Sequence, residues 1–322
     1  MKFNIRKCFL PLAVLLAAAM LSSCASSRHL AHPVAYDSKY LPLREYYETD
    51  HGMASMITAI GYDSDREIGY VQYKFESLFG APQTITILEL DPGKNKFVVV
   101  DHKGLKRTSE TAEQTGAVAA INGTFYDMKK GGSVCYLQID GQVADTTKGN
   151  DMRLRANGAV VIKKGKLSVE PWSPDREKEF RSNLKKNTSV MATMPLLIKD
   201  GYAVQLIEYK GFSNKRHPRS VVFEKDGQIC LMVIDGRSRG NAEGMTLDEV
   251  QIYLQSMDGG KGCRNAVNLD GGGSSTLWLS PASGDSVPKN QIGGVINHPS
   301  DNGKFDHKGE RRVANSIIVL SK

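Results

Sequence analysis

Four glycine-bearing turns, set between runs of β-branched and aromatic residues, constrain this chain more than any other feature. Asp91-Pro92-Gly93 separates residues 84–90 from 96–100, Asp140-Gly141 separates 134–139 from 142–143, Lys164-Gly165 separates 159–162 from 166–169, and Lys225-Asp226-Gly227 separates 221–223 from 229–234. Short turns ending in glycine tolerate the positive φ angles of a tight hairpin, so the last three predict strands folded back on their neighbours. Helical patterning is confined to residues 109–114, to the charged stretch 174–186, and to the segment opened by Thr246-Leu247-Asp248-Glu249. That last segment carries a capping box, with Leu247, Val250, Tyr253, Leu254 and Met257 at helical spacing and Asp258-Gly259-Gly260 as its stop. Strands therefore dominate, no period of 20–50 residues recurs, and the chain reads as an α+β domain with mixed, strand-dominated sheets and a few packing helices.

Charge first suggests a polyanion. The 322 residues carry a formal net charge of +7. Lys2, Arg6 and Lys7, however, precede an apolar run of 13 residues from Phe9 to Leu21, too short to span a bilayer and typical of a secretory leader. The run ends in Leu21-Ser22-Ser23-Cys24-Ala25, which resembles the lipobox of bacterial lipoproteins and implies cleavage before Cys24 and lipid on its thiol. Without the three leader cations, 39 Lys and Arg face 35 Asp and Glu, a net +4. The remaining basic residues are interspersed with acids, as in Arg176-Glu177-Lys178-Glu179, so no nucleic-acid track is present. The expected organisation is a lipoprotein leader over 1–23, a tether and N-terminal extension over 24–68, and one large domain over 69–322, lipid-anchored in a bacterial cell envelope at the outer membrane. Cys135, Cys230 and Cys263 lack metal-type spacing and read as small buried hydrophobes, with at most one disulfide among them.

Five places could carry chemistry. In Asn268-Leu269-Asp270-Gly271-Gly272-Gly273-Ser274-Ser275 an apolar strand delivers a carboxylate into a loop whose amides and hydroxyls can approach an anion. No lysine and no capped helix follow it, so it is not a nucleotide-binding P-loop. Asn122-Gly123-Thr124-Phe125-Tyr126 ends another strand with a polar side chain suited to sugar hydroxyls or phosphate oxygens. Arg216-His217-Pro218-Arg219 offers a bidentate anion clamp in Arg219. Asp235-Gly236-Arg237 places a strand-end carboxylate beside a cation. Glu310-Arg311-Arg312 reads as a charged lead-in to the last strand. Asp235, Asn268 and Asp270 are oxygen ligands that could hold a divalent cation, Ca²⁺ or Mg²⁺, although nothing in the sequence requires a cofactor.

Asn122-Gly123-Thr124-Phe125, Arg219-Ser220, Asp235-Gly236, Gly244-Met245-Thr246-Leu247-Asp248-Glu249 and Asn268 through Ser275, in this order, resemble the phosphodiester glycosidase family, from about residue 84 to 320. Family members with Gly-His-Asp after the arginine motif have a histidine where this chain reads Phe223-Glu224-Lys225, so any role of that histidine is absent here. The resemblance implies a hydrolase that frees a sugar from a glycosyl-1-phosphodiester on a phosphorylated glycan or glycoconjugate. In that reading Asp270, Asp235 and Arg219 are catalytic, and Asn122, Arg237, Gly271, Gly272, Gly273 and Ser274 bind substrate. Two other readings are a metal-dependent phosphodiesterase and a lipoprotein that binds anionic glycans without turnover.

Overall fold

The computed structural model describes residues 56–207, 211–257, 263–281 and 294–322; the leader, Cys24, the tether up to residue 55 and the Asp258-Gly259-Gly260 stop lie outside them. The described strands form three sheets. An eight-stranded sheet runs Ile57–Asp63, Ile68–Leu78, Ala81–Leu90, Gln228–Ile234, Arg219–Lys225, Cys263–Asn268, Leu196–Lys199, Tyr202–Ala203. A second, of five strands, runs Gln142–Asp145, Leu137–Ile139, Thr188–Thr193, Gly158–Lys163, Lys166–Pro171. A third, also of five, runs Gly294–Val295, Leu277–Leu279, Ala119–Asn122, Val313–Ser321, Asn95–Lys106.

The three hairpins form as their turns predict. Asp140 and Gly141, Lys164 and Gly165, and Asp226 and Gly227 all take positive φ, the geometry that matches strand twist. Asp91-Pro92-Gly93 is also a turn, but it passes the chain from the first sheet to the third. The strand-dominated reading with a few helices therefore stands, and the molecule is mostly β. The expectation of mixed sheets is corrected: every strand pair among the described residues is antiparallel, as the succession of hairpins demands. The first strand, Ile57–Asp63, pairs with Ile68–Leu78, so the folded part reaches back into the stretch assigned to an extension.

Central strands such as Gln228–Ile234, Gly158–Lys163 and Ala119–Asn122 bury both faces, which is why they read as continuous apolar runs, whereas outer strands such as Lys166–Pro171 alternate. Alternate residues diverge. Val222, Leu231, Val267, Val160, Met191, Ile121 and Ile317, drawn from all three sheets, meet in one central core. Their neighbours point outward to a helix that covers each sheet. Phe223, Met232 and Ile234 pack under Leu247–Ser256, and Val161, Tyr136 and Trp172 lie with Phe180 of Pro174–Ser182. Ala120, Trp278 and Ile318 cover Ala112 of Thr108–Thr115. A fourth helix, Gly149–Arg155, was not expected; it buries no residue and so carries no apolar stripe to read. Leu231 is fully buried where the sheets converge, and Leu231→Ala is expected to cost about 2–5 kcal/mol in a denaturant titration.

Strand register brings the sequence motifs to one end. Arg219 pairs with Ile234, and the Leu269 N–H donates to the Ser220 carbonyl at 2.8 Å. Asp235 and Asp270 thus emerge on either side of the start of Arg219–Lys225. Residues 270–276 then cross from the first sheet to the third, and beyond them lie the ends of Ala119–Asn122 and Val313–Ser321.

Candidate active site

Asn122 ties this end together. Its Nδ2 donates to the Asp270 carbonyl at 2.7 Å and the Gly123 carbonyl at 3.3 Å, while its Oδ1 accepts from Ser220 Oγ at 2.7 Å and Thr276 N–H at 3.1 Å. All four hydrogen-bonding positions of the amide are spent on protein. Asn122 therefore holds the third sheet to the first and fixes the Asp270 backbone; the expected contact with sugar or phosphate is corrected on that ground.

Arg219 is also turned inward. It is 1% exposed, its Nε donates to the Met245 carbonyl at 2.8 Å, and its Nη2 donates to the carbonyls of Phe212 and Lys215 at 2.7 and 2.9 Å. The guanidinium lies over the Phe212 ring at 5.2 Å, and burial pushes its pKa down to about 10. Its donors organise residues 211–217 and 244–246, so the expectation that it clamps the phosphodiester gives way to a scaffold role. His217 beside it faces the Gly211 carbonyl through Nε2 at 2.9 Å, and burial lowers its pKa.

The guanidinium groups that lie against the glycine loop are instead those of Arg237 and Arg311. Gly272 has φ +65°, and a Cβ there would lie 2.8 Å from Arg237 Nη2; a Cβ on Gly273 would lie 2.5 Å from Arg311 Nη2. Gly272 and Gly273 thus leave room for the Arg237 guanidinium and for the Arg311–Asp301 pair, while Gly271 leaves room for the Pro218 carbonyl, 2.6 Å from where a Cβ would lie. The expected amide cradle is narrowed: two of its four amides are spent on carbonyls, and the Gly271 N–H turns to Asp270. Gly272–Ser274 is a single 3₁₀ turn, in which the Gly272 N–H donates to the Pro218 carbonyl at 2.9 Å and the Ser274 N–H to the Gly271 carbonyl at 3.3 Å. Arg237 is exposed and holds φ +61°, a strained conformation for a non-glycine residue and one that accumulates at functional sites. Arg311 is paired with Asp301, its Nε donating at 2.8 Å.

Asp270 lies between them, partly buried. Burial pushes its carboxyl up to about 6, against the opposing influence of the Ser274 hydroxyl, Arg311, the Gly271 N–H and Arg237. Tyr126, whose hydroxyl donates to the Arg312 carbonyl at 2.9 Å, flanks the same group and has its own pKa raised by burial. The Ser274 hydroxyl is buried beside both and acts as a hydrogen-bonding neighbour that lowers the pKa of each. A carboxyl with a raised pKa, a buried hydroxyl beside it and two guanidinium groups against one loop can together hold an anion and act on the atom bonded to it.

Asp235 is at the same end but closed off, its oxygens engaged by Asn297 and His298. Asn268 donates its amide to the Met194 and Leu269 carbonyls at 2.8 and 2.6 Å. Among the described residues no group of three His, Cys, Asp or Glu side chains gathers as a cation site, and the cage considered for Asp235, Asn268 and Asp270 loses Asp235 to its protein partners. Cys135, Cys230 and Cys263 are free thiols buried in the core. Sequence reasoning missed Asp301 and His298 and read Arg311 only as part of a charged lead-in. Arg311 was visible only as one of two adjacent arginines, and His298 carries no local signal beyond standing between an asparagine and a proline.

A family model described as phosphodiester glycosidase matches residues 115–320. Among curated proteins, the N-acetylglucosamine-1-phosphodiester alpha-N-acetylglucosaminidase of Bos taurus is 26% identical over 277 residues, covering 82% of this chain and 47% of the relative. The Mus musculus enzyme of the same name is 28% identical over 181 residues, covering 53% and 33%. The chain thus spans about half or less of the length of these relatives. Among solved structures, the zebrafish N-acetylglucosamine-1-phosphodiester alpha-N-acetylglucosaminidase catalytic domain, auto-inhibited by its pro-peptide, shares the fold at a TM-score of 0.59 and 18% identity, over 83% of this chain and 88% of that one.

Proposed function

The chain belongs to the phosphodiester glycosidase family, and from that premise we propose that it is a hydrolase releasing a sugar from a glycosyl-1-phosphodiester. The observation that carries this reading is the placement of Asp270 beside Arg237 and Arg311 on the glycine loop. The phosphodiester rests on the two guanidinium groups, with the Ser274 hydroxyl donating to one of its oxygens. The departing phosphate monoester is a good leaving group, so the demanding task is to meet the positive charge that grows at the anomeric carbon. Asp270 supplies the carboxylate for that charge. Low dielectric around the partly buried site strengthens both interactions.

The test is incubation with a panel of glycosyl-1-phosphodiesters, nucleotide sugars included, with identification of the products. Free sugar plus a phosphate monoester supports the reading; a sugar phosphate indicates phosphodiesterase cleavage and overturns it. Asp270 serves as the anion, and its carboxyl titrates at about 6, so kcat/KM is expected to rise with pH through that value.

The same proposal extends to location. The lipobox-like Cys24, outside the described residues, supports a lipid-anchored protein of the bacterial cell envelope, with the stretch after it as a tether. Metabolic labelling with a fatty acid, lost on Cys24→Ser, is the check.

A further inference from the structure

Asp235 is 1% exposed and commits both oxygens to one short segment. Oδ1 accepts from Asn297 Nδ2 at 3.1 Å and from the His298 N–H at 2.9 Å, and Oδ2 faces His298 Nδ1 at 2.8 Å. An ionised carboxylate can only accept, so Nδ1 carries a proton, and in the neutral ring the lone pair is then on Nε2. The ring is packed almost parallel to Phe305, with centroids 3.8 Å apart, and against His307 at 4.5 Å. His307 is itself held by the Asn297 carbonyl at 2.7 Å from its Nδ1. The His298 side chain remains 15% exposed, and its Nε2 has no hydrogen-bond partner among the described residues.

A turn can be held by neutral groups, whereas a buried carboxylate is costly. What this carboxylate adds is one tautomer in one orientation, and stabilisation of the imidazolium once Nε2 takes a proton. The pair also belongs to the rim of the site. Asn297 Nδ2 reaches the Ser275 carbonyl at 3.2 Å, Asp301 lies against Gly273, and Arg237, two residues beyond Asp235, lies against Gly272.

Resting on the glycosidase reading, we propose that His298, oriented by Asp235, accepts the proton of the hydrolytic water. The water oxygen bonds to the anomeric carbon, and the bond from that carbon to the phosphate oxygen breaks with its electron pair leaving on the phosphate monoester. The water proton passes to Nε2 and is later released to solvent. Asp235 is thereby a positioning residue acting through His298.

Nitrogen-15 NMR of the full chain titrated with inorganic phosphate is the first test. His298 is expected to show a bare Nε2 in the free protein and a resonance that moves as phosphate binds, and Asp235→Asn is expected to scramble the tautomer. A protonated Nε2 with a bare Nδ1, or a His298 signal unmoved while Arg237 signals shift, overturns the proposal. In kinetics on a glycosyl-1-phosphodiester, His298→Gln and Asp235→Asn are expected to lower kcat by about 10²–10⁴-fold with KM changed by no more than about twofold. His298→Gln, on the more exposed partner, is expected to keep the wild-type Tm; wild-type kcat in this variant overturns the proposal. If the unsubstituted protein turns over no member of the panel, the glycosidase reading fails, and the phosphate titration decides whether His298 faces the anion site.

Discussion

Asp270→Asn is expected to abolish turnover of a glycosyl-1-phosphodiester, by about 10³-fold or more, while making the protein more stable at neutral pH. Both effects follow from one property. Burial holds the folded-state pKa at about 6, above the 3.8 of an ordinary aspartate. A carboxyl whose pKa rises on folding binds its proton more tightly in the folded state, so its ionisation opposes folding. The penalty is absent below pH 3.8, grows as pH rises toward 6, and is complete above it. The shift of about two units corresponds to roughly 2–3 kcal/mol, which the uncharged amide escapes. Thermal melts of the two proteins are therefore expected to diverge by several degrees at pH 7.5 and to coincide at pH 3.5. A variant that keeps turnover defeats the assignment of Asp270. One that loses turnover together with stability at pH 7.5 defeats the account of why the residue is costly.

The second large effect separates two arginines that sequence alone treats alike. Arg219→Met is expected to destabilise the protein by about 2–4 kcal/mol, because the Phe212 and Lys215 carbonyls lose the Arg219 donor and the Met245 carbonyl keeps only the longer bond from the His217 N–H. Arg237→Ala is expected to leave Tm nearly unchanged, since the side chain is exposed and the alanine Cβ keeps the backbone strain as it was, and to weaken binding of inorganic phosphate by about tenfold or more. Calorimetry of both variants with phosphate as the titrant checks the pair. Equal losses of phosphate affinity at unchanged stability would restore Arg219 to the anion clamp.

The contrast shows how far the sequence reaches. Hairpin turns are local, and Asp140-Gly141, Lys164-Gly165 and Asp226-Gly227 declared themselves because only certain residues tolerate two positive φ angles in succession. The capping box at Thr246 and Glu249 is local too, and it opens the helix Leu247–Ser256 as read. The glycine loop could be seen as a place of close approach, but not what approaches it. Arg237 and Arg311 arrive from segments more than 30 residues away on either side, and strand register across two sheets decides that they, and not Arg219, lie on it. Which side a strand residue faces is a matter of parity, and whether that side is covered depends on distant segments, here those of Phe212, Lys215 and Met245, so the burial of Arg219 was invisible. The same holds for Asp235, whose partner His298 follows it by 63 residues.

One amide sets a limit on how this protein can loosen. Asn122 bonds simultaneously to the strand of Ser220, to Thr276 and to the backbone of Asp270, and the chain between the two sheets at that point is the loop that carries the carboxyl. Any opening that parts those sheets must therefore dismantle the reactive centre in the same event. The Asp270 backbone thus belongs to the docked sheets rather than to the periphery, whereas His298 and Arg311 reach the same centre from a segment that this amide does not bind.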